Sequence, residues 1–280
     1  MKTIHIPLPE EIDYSKKFRL DGKVIIITGG QGLIGSAFVE ACAQYGAHVV
    51  IADIAQSKPD EFCKKLSERF EREMLGVVTD VSDRQSVEAL RDNVLNKFKK
   101  IDGLVNCHQE TEDENTVFRK FEEFDDDEWD SIIKINLRGV YMTCQVIGSW
   151  IANSGNGGSI VNIPSTYSVV APNQNLYEGI SNEGCTAVYS SSKGGVMALS
   201  QYLATYWAAK GVRVNQITPH GVAPYDDWDD AFEKRFAPLS PMGRMSFNHE
   251  VPGALIYLLS EASSYVTGLN LVVDGGWTAI

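Results

Sequence analysis

A glycine-rich turn between a short apolar run and a helical segment constrains this chain more than any other feature. Val24–Thr28 is rich in β-branched residues, which is typical of a strand buried on both faces. Gly29–Gly35 follows at once, and its Gly30, Gly32 and Gly35 match the GxGxxG spacing. Glycines at this spacing allow a tight turn and let a pyrophosphate approach the N-terminus of the next helix. The turn therefore predicts a dinucleotide site.

Short apolar runs alternate with segments of helical periodicity from residue 24 to the end of the chain. Strands separated by helices indicate a parallel sheet, so we expect an α/β fold with one doubly wound, Rossmann-like sheet of about seven strands and helices on both faces. The expected strands are Val24–Thr28, Val49–Asp53, Gly76–Thr79, Gly103–Asn106, Ser159–Ile163, Val212–Thr218 and Asn270–Val273. The expected helices lie near 33–45, 58–72, 83–99, 127–152, 188–210 and 249–260.

No linker or internal repeat divides the chain, so residues 1–280 are predicted to form one domain. Three segments depart from the alternating pattern. Residues 1–20 precede the first strand and are expected to wrap the surface, and residues 173–186 look like an insertion beside the site. Residues 222–247, rich in aspartate and aromatic side chains, are expected to form a lid over the substrate.

Charge and cysteine usage exclude several classes of function. Lys and Arg total 25 against 37 for Asp and Glu, a net charge of −12, which would repel a nucleic-acid backbone. Neither an apolar run long enough to span a membrane nor a secretory signal is found. The five cysteines and five histidines are scattered, so we expect reduced thiols, no metal site and a cytoplasmic protein.

Acidic and amide side chains follow the expected strands at the edge where open sheets bind ligands. Asp53 ends the second strand, 18 residues beyond Gly35. A carboxylate there accepts hydrogen bonds from ribose hydroxyls and repels the 2′-phosphate of NADP, so NAD is the predicted cofactor. Asp80 with Val81 and Asn106 follow the third and fourth strands at the same edge.

Tyr189 and Lys193 are four residues apart and therefore share one face of the expected helix. A tyrosine with a pKa near 10 is a poor base at neutral pH, and a drop of about three units requires roughly 4 kcal/mol. A neighbouring ammonium and a nicotinamide cation in a desolvated pocket would supply that stabilisation. A Tyr/Lys pair at this spacing also occurs on the surface of ordinary helices. The pair alone therefore does not distinguish a catalytic pair from a surface pair.

Together these motifs resemble the short-chain dehydrogenase/reductase family over about residues 20–276. The resemblance implies that Tyr189 is the general acid/base, that Ser165 holds the substrate oxygen, and that Lys193 binds the nicotinamide ribose and lowers the tyrosine pKa. It also implies that Asn136 holds a water linking Lys193 to solvent. The expected reaction is hydride transfer between NAD and a secondary alcohol or ketone. The matching segments are Thr28–Gly35, Asp80-Val81, Ile135–Gly139, Ile160–Ser165, Tyr189–Lys193, Arg213–Asn215 and Val272–Gly276.

The resemblance extends to the residues around both ligands. Its implied cofactor contacts are Gly29, Gln31, Gly32, Leu33, Ile34, Gly35, Asp53, Ile54, Asp80, Val81, Asn106, Cys107, Tyr189, Lys193, Pro219, Gly221 and Val222. The candidate substrate contacts are His108, Tyr167 and Tyr177.

The chain also departs from the family pattern. Leu33 stands where the compact branch of the family has glycine, and Cys107-His108 and His220 replace the usual small residues after the fourth and sixth strands. Ser165 and Tyr189 are 24 positions apart, which is longer than usual for the family. The added loop, with the TGGxGLIG turn, resembles the PtmA-like branch associated with bacterial surface-glycan and flagellin sugar modification.

Three functions remain open from the sequence. The polar insertion and the acidic lid favour a polyol, sugar or sugar-derived ketone as the small-molecule substrate. Trp228, Phe232 and Phe236 permit a lipophilic alcohol or steroid-like ketone instead. A nucleotide-sensing or scaffold protein on the same fold is the third alternative. The resemblance implies a homotetramer or homodimer, with one face at helices 127–152 and 188–210 and another at the final strand and Trp277.

Overall fold

The computed structural model describes residues 12–110, 121–176, 187–223 and 230–280. Its centre is a seven-stranded sheet in the order β3-β2-β1-β4-β5-β6-β9, and every neighbouring pair is parallel. The predicted Rossmann-like fold is confirmed. The strands are β1 Val24–Thr28, β2 His48–Asp53, β3 Met74–Val78, β4 Gly103–Asn106, β5 Gly158–Asn162, β6 Val212–Pro219 and β9 Asn270–Val273.

Helices cover both faces of the sheet, and α4 to α6 form one long helix with a single π-helical turn at Cys144–Gly148. The predicted lid contains helix α8 and the strands β7 (Val222–Ala223) and β8 (Ser246–Phe247), which pair with each other. The helices are α1 Leu33–Gln44, α2 Pro59–Phe70, α3 Arg84–Phe98, α4 Asp126–Asn136, α5 Arg138–Thr143, α6 Ser149–Asn153, α7 Ala187–Trp207, α8 Asp230–Phe236 and α9 Pro252–Leu259.

The apolar core lies in two layers, one on each side of the sheet. Val24 and Ile26 of β1 belong to one layer, and Ile25 and Ile27 belong to the other. Successive strand side chains point to opposite faces, so a continuous apolar run fills both layers. Leu20, in the predicted surface extension, is fully buried in the layer of Ile25 and Ile27.

A chain of buried amide and hydroxyl groups connects the middle of the sheet to the long helices. Thr143 Oγ1 donates to Asn106 Oδ1 at 2.7 Å, and Asn106 Nδ2 donates to Asn162 Oδ1 at 2.8 Å. Asn162 Nδ2 then donates to Ser200 Oγ at 2.8 Å. Buried polar groups are costly without partners, so these bonds fix the positions of α5 and α7 against β4 and β5.

None of the helices in the described ranges is long and apolar enough to cross a membrane. The same ranges contain no group of three side chains arranged to hold a metal ion. The predicted extents of the N-terminal extension, the insertion and the lid stay predictions, because part of each lies outside the described residues.

Candidate active site

A cavity of about 890 Å³ opens along the carboxyl ends of the strands. Open α/β sheets bind ligands at this edge, where the strand order reverses beside β1. Every predicted cofactor contact except Asn106 lines the cavity, and so do Ser165, Tyr189 and Lys193. The structure therefore brings the glycine turn and the predicted catalytic side chains to one continuous site.

The glycine turn leaves no room for side chains at two of its positions. Gly29 has φ +65°, and a Cβ atom there would lie 2.7 Å from the Cα of His108. A Cβ atom on Gly35 would lie 2.0 Å from the carbonyl oxygen of Gly29. Gly32 is the N-cap residue of α1 and lines the cavity together with the first residues of that helix. The unpaired backbone N–H groups of a first helical turn are a typical binding site for an anion such as a phosphate.

Asp53 is fixed at the end of β2 by donors from the turn and from the loop after the strand. Its Oδ2 atom accepts from the backbone N–H of Gln31 at 2.9 Å. Its Oδ1 atom accepts from the N–H of Ile54 at 2.9 Å and from Ser57 Oγ at 3.2 Å. The side chain of Gln31 donates to the Ser57 carbonyl, and its Oε1 atom is buried without a partner among the described residues.

Ser165 lies just after β5, at the N-terminus of a 3-10 turn formed by Thr166–Ser168. Its Oγ atom accepts from the N–H of Tyr167 at 3.2 Å, and 8% of the residue is exposed. The hydroxyl proton stays available for an oxygen in the cavity, because that contact uses only an oxygen lone pair.

Helix α7 presents Tyr189 and Lys193 to the cavity. Lys193 Nζ lies 5.7 Å from the centroid of the Tyr189 ring and donates to the Ile163 carbonyl at 3.1 Å. Burial lowers the pKa of Lys193 to about 8, so the ammonium form still predominates at neutral pH. A buried cation this close stabilises a negative charge on the neighbouring phenol.

Asn136 is the last residue of α4 and is buried behind the cavity wall. Its Oδ1 atom accepts from the N–H of Glu110 at 2.7 Å, and its Nδ2 atom donates to the carbonyl of Glu110 at 3.3 Å. These bonds hold the loop after β4 against α4. The predicted water relay through Asn136 stays a prediction.

The last residue of β4 and the two residues after it are predicted contacts with different surroundings. The side chain of Asn106 is engaged in the buried chain described above, so only its backbone remains for a cofactor contact. Burial raises the pKa of the Cys107 thiol to about 12, and the thiol is therefore protonated. Cys107 contributes no thiolate nucleophile.

His108 lines the cavity, but its ring is held by neighbours on the cofactor side. Nδ1 lies 2.6 Å from Thr28 Oγ1, and Nε2 lies 2.9 Å from where a Cβ atom on Gly139 would stand. Burial first, and the charge of Lys193 second, lower the pKa of His108 to about 3. The neutral ring therefore bonds Thr28 at the end of β1, and the predicted substrate contact of His108 stays a prediction.

Tyr167 also lines the cavity, whereas Tyr177 lies outside the described residues. Phe236 of the predicted lid lines the wall, and so do Thr166 and Met245, which were not selected from the sequence. Thr166 and Met245 lie in a turn and a loop, where no periodic pattern or motif marks a lining residue. The sequence signals near them were the aromatic residues of the predicted lid and the unusual His220 between Pro219 and Gly221.

The donor set fits a nicotinamide dinucleotide. The glycine turn provides a close backbone approach for the pyrophosphate. Asp53 and the orphaned Gln31 Oε1 atom provide acceptors for ribose hydroxyls, and Lys193 and Tyr189 line the same cavity.

Comparisons with known proteins find related oxidoreductases. The family model described as enoyl-(acyl carrier protein) reductase matches residues 31–278. D-threitol dehydrogenase of Mycolicibacterium smegmatis is 34% identical over 96% of this chain and 98% of that protein. NAD-dependent glycerol dehydrogenase of Listeria innocua is 29% identical over 95% of this chain and 97% of that protein.

A solved structure with a similar level of sequence identity has the same fold. The gluconate 5-dehydrogenase from Burkholderia cenocepacia, in complex with NADP and tartrate, superposes with a TM-score of 0.80 at 28% identity. The match covers 95% of this chain and 98% of that one. From its motifs, its fold and these matches, the chain belongs to the short-chain dehydrogenase/reductase family of oxidoreductases, whose members use a nicotinamide cofactor.

Proposed function

We propose that this protein is an NAD-dependent dehydrogenase that interconverts a secondary alcohol and a ketone on a small polyol or sugar-derived substrate. The observation that carries the proposal is that Asp53, the glycine turn, Ser165, Tyr189 and Lys193 all line one cavity. The Asp53 carboxylate supports NAD over NADP.

The protein's own groups would handle the proton and the substrate oxygen. Ser165 Oγ hydrogen-bonds the substrate oxygen, and the Tyr189 phenol oxygen takes its proton during oxidation or returns it during reduction. Lys193 stabilises the phenolate and, through its bond to the Ile163 carbonyl, keeps its ammonium fixed in the cavity. A bound nicotinamide would accept or supply the hydride.

Two observations bear on the substrate. The related proteins named for threitol, glycerol and gluconate support a polyhydroxylated substrate. Phe236 and Met245 in the cavity wall favour the lipophilic alternative, so hydrophobic alcohols belong in the same screen. The PtmA-like assignment, the cytoplasmic location and the 173–186 loop as a sugar-binding segment stay predictions, and the screen therefore includes activated sugars.

NADH formation at 340 nm across polyols, aldonates, sugar nucleotides and hydrophobic alcohols tests the proposed function. We expect turnover on one or more polyols. Turnover only on hydrophobic alcohols would contradict the polyol assignment. Silence across the panel together with no NADH binding would favour the sensing or scaffold alternative.

We expect Asp53→Ala to reduce the preference for NAD over NADP by about tenfold. The substitution removes an acceptor for the ribose hydroxyls and the charge that repels a 2′-phosphate. The ratio of kcat/KM for the two cofactors is the measurement. Asp60→Ala, on the exposed face of α2, is the charge-matched control. An unchanged ratio in Asp53→Ala would remove the basis for the NAD assignment.

We also expect a homodimer or homotetramer. Tyr202 and Tyr206 of α7 stack at 5.6 Å between ring centroids, and each is 61% exposed. Such an aromatic pair on an open helix face supports the predicted interface at α4 to α7. Sedimentation equilibrium measures the mass, and Tyr202→Glu with Tyr206→Glu should lower it. A wild-type monomer at micromolar concentration would contradict the prediction.

A further inference from the structure

His220 departs from the small residue that the family pattern leads one to expect, and the fold places it next to the reacting groups. It follows Pro219 at the end of β6 and lines the same cavity as Ser165 and Tyr189. Its Nδ1 atom lies 2.5 Å from the Oγ1 atom of Thr166, the residue directly after Ser165. The imidazole therefore lies beside the turn that carries Ser165, the residue expected to hold the substrate oxygen.

The imidazole is held in one orientation by aromatic neighbours. The ring of Trp277 lies 3.9 Å from it and that of Phe236 lies 4.6 Å from it, between centroids, with Phe236 stacked. Asp274 fixes the turn that carries Trp277, because its carboxylate accepts from the N–H groups of Gly276 and Thr278. A side chain confined in this way is preorganised to bind.

One polar atom of this fixed ring is left over. His220 is only 7% exposed, and its Nε2 atom is buried with no hydrogen-bond partner in the part of the chain that the structure describes. An orphaned polar atom in a tightly packed site costs free energy unless a ligand satisfies it. The neighbouring small cavity of about 80 Å³ is also lined by His220.

The chemistry of the ring defines the ligand group. Burial lowers the pKa of His220 to about 4, against the opposing charge of Asp274, so the imidazole is neutral near pH 7. If Nδ1 donates to the Thr166 hydroxyl, Nε2 is an acceptor, and if Nδ1 accepts from that hydroxyl, Nε2 carries the proton and is a donor. A hydroxyl group satisfies both tautomers, whereas a carboxylate satisfies only one.

We propose that His220 Nε2 hydrogen-bonds a substrate hydroxyl other than the one that reacts, and so selects polyhydroxylated substrates. The inference rests on the proposed function, because it assigns a residue to the substrate of that same site. Under this proposal the imidazole is the group that distinguishes a polyol from a lipophilic alcohol, and the aromatic rings around it are not.

A double-change cycle tests this role: one change removes the imidazole from the protein, and the other removes one hydroxyl from the substrate. The substrates are the polyol that wild type turns over best and an analogue lacking one hydroxyl, such as glycerol and 1,2-propanediol. In His220→Phe we expect the ratio of kcat/KM for polyol over analogue to fall 10- to 100-fold. His220→Gln, whose amide both donates and accepts, should recover part of the ratio.

Thr166→Val is a second variant, which removes the partner of Nδ1 and leaves His220 in place. We expect it to lower the same ratio about threefold. Equal losses on both substrates in His220→Phe, with the ratio unchanged, would show a merely structural histidine and overturn the inference. Wild type inactive on every polyol would instead overturn the proposed function, so the two failures are distinct.

Discussion

Tyr189→Phe should reduce kcat at least 10³-fold while leaving NADH affinity within about threefold of wild type. The change removes one oxygen atom and keeps the ring that packs beside Lys193. General acid/base catalysis by a positioned side chain contributes about 10²- to 10⁴-fold. Three other titratable side chains that line the site are poor substitutes for the phenol, because His108 and His220 have lowered pKa values and Cys107 has a raised one.

Steady-state kinetics on the best substrate and a fluorescence titration with NADH give the two readouts. Tyr265→Phe is the matched control, since it makes the same chemical change at a fully exposed position outside the cavity. Its kcat should equal that of wild type. If Tyr189→Phe kept more than a tenth of wild-type kcat, another group would be moving the proton and the assignment of Tyr189 would be wrong.

The arrangement of strands was predictable because burial on both faces forces a recognisable pattern. β1, β4 and β9 have the predicted bounds, and the other predicted strands differ only at their ends. A parallel strand covered by helices must be apolar throughout, so the pattern is local in sequence. The π-helical turn at Cys144–Gly148 and the β7–β8 pair have no such local pattern, because packing and hydrogen bonds from distant segments determine them.

The candidate site was predictable where a backbone constraint selects one residue type. Gly29 and Gly35 must be glycine because other backbone atoms occupy the space of a Cβ. The predicted cofactor contact of Asn106 illustrates the opposite case. Asparagine after a strand at the ligand edge suggests ligand binding, but Thr143 and Asn162 bind its amide inside the protein. Only the three-dimensional neighbours distinguish these two roles.

The aromatic surroundings of His220 were the least predictable part of the site. Phe236 and Trp277 are separated by much of the C-terminal region in sequence, yet their rings stack at 4.9 Å and both contact His220. Single aromatic residues at the ends of short helical segments carry no periodicity that would assign them to a core or to a cavity. Their role follows from the fold, which brings the end of the chain back to the site.

Gly35→Ala should weaken NADH binding about 100-fold. The new Cβ atom would lie 2.0 Å from the Gly29 carbonyl oxygen and 3.0 Å from the Cα of Gly30. Non-bonded carbon and oxygen atoms approach to about 3.3 Å, so the turn must move by about 1 Å. A shift of that size takes backbone donors out of hydrogen-bonding range of a pyrophosphate. Losing two charged hydrogen bonds of about 1.5 kcal/mol each accounts for the expected factor.

Two other glycines separate a cofactor effect from a folding effect. Gly253→Ala makes the same change near the start of α9, where nothing lies within 4 Å of the new Cβ atom. It should leave NADH affinity unchanged and raise the Tm slightly, because alanine favours a helix over glycine by up to about 1 kcal/mol.

In Gly32→Ala the new Cβ atom makes only an ordinary contact, 3.4 Å from the Gly29 oxygen, and Gly32 lines the cavity. We therefore expect Gly32→Ala to keep the wild-type Tm and still lose NADH affinity. A folded Gly35→Ala or Gly32→Ala protein with unchanged NADH affinity would mean that this turn does not hold the pyrophosphate.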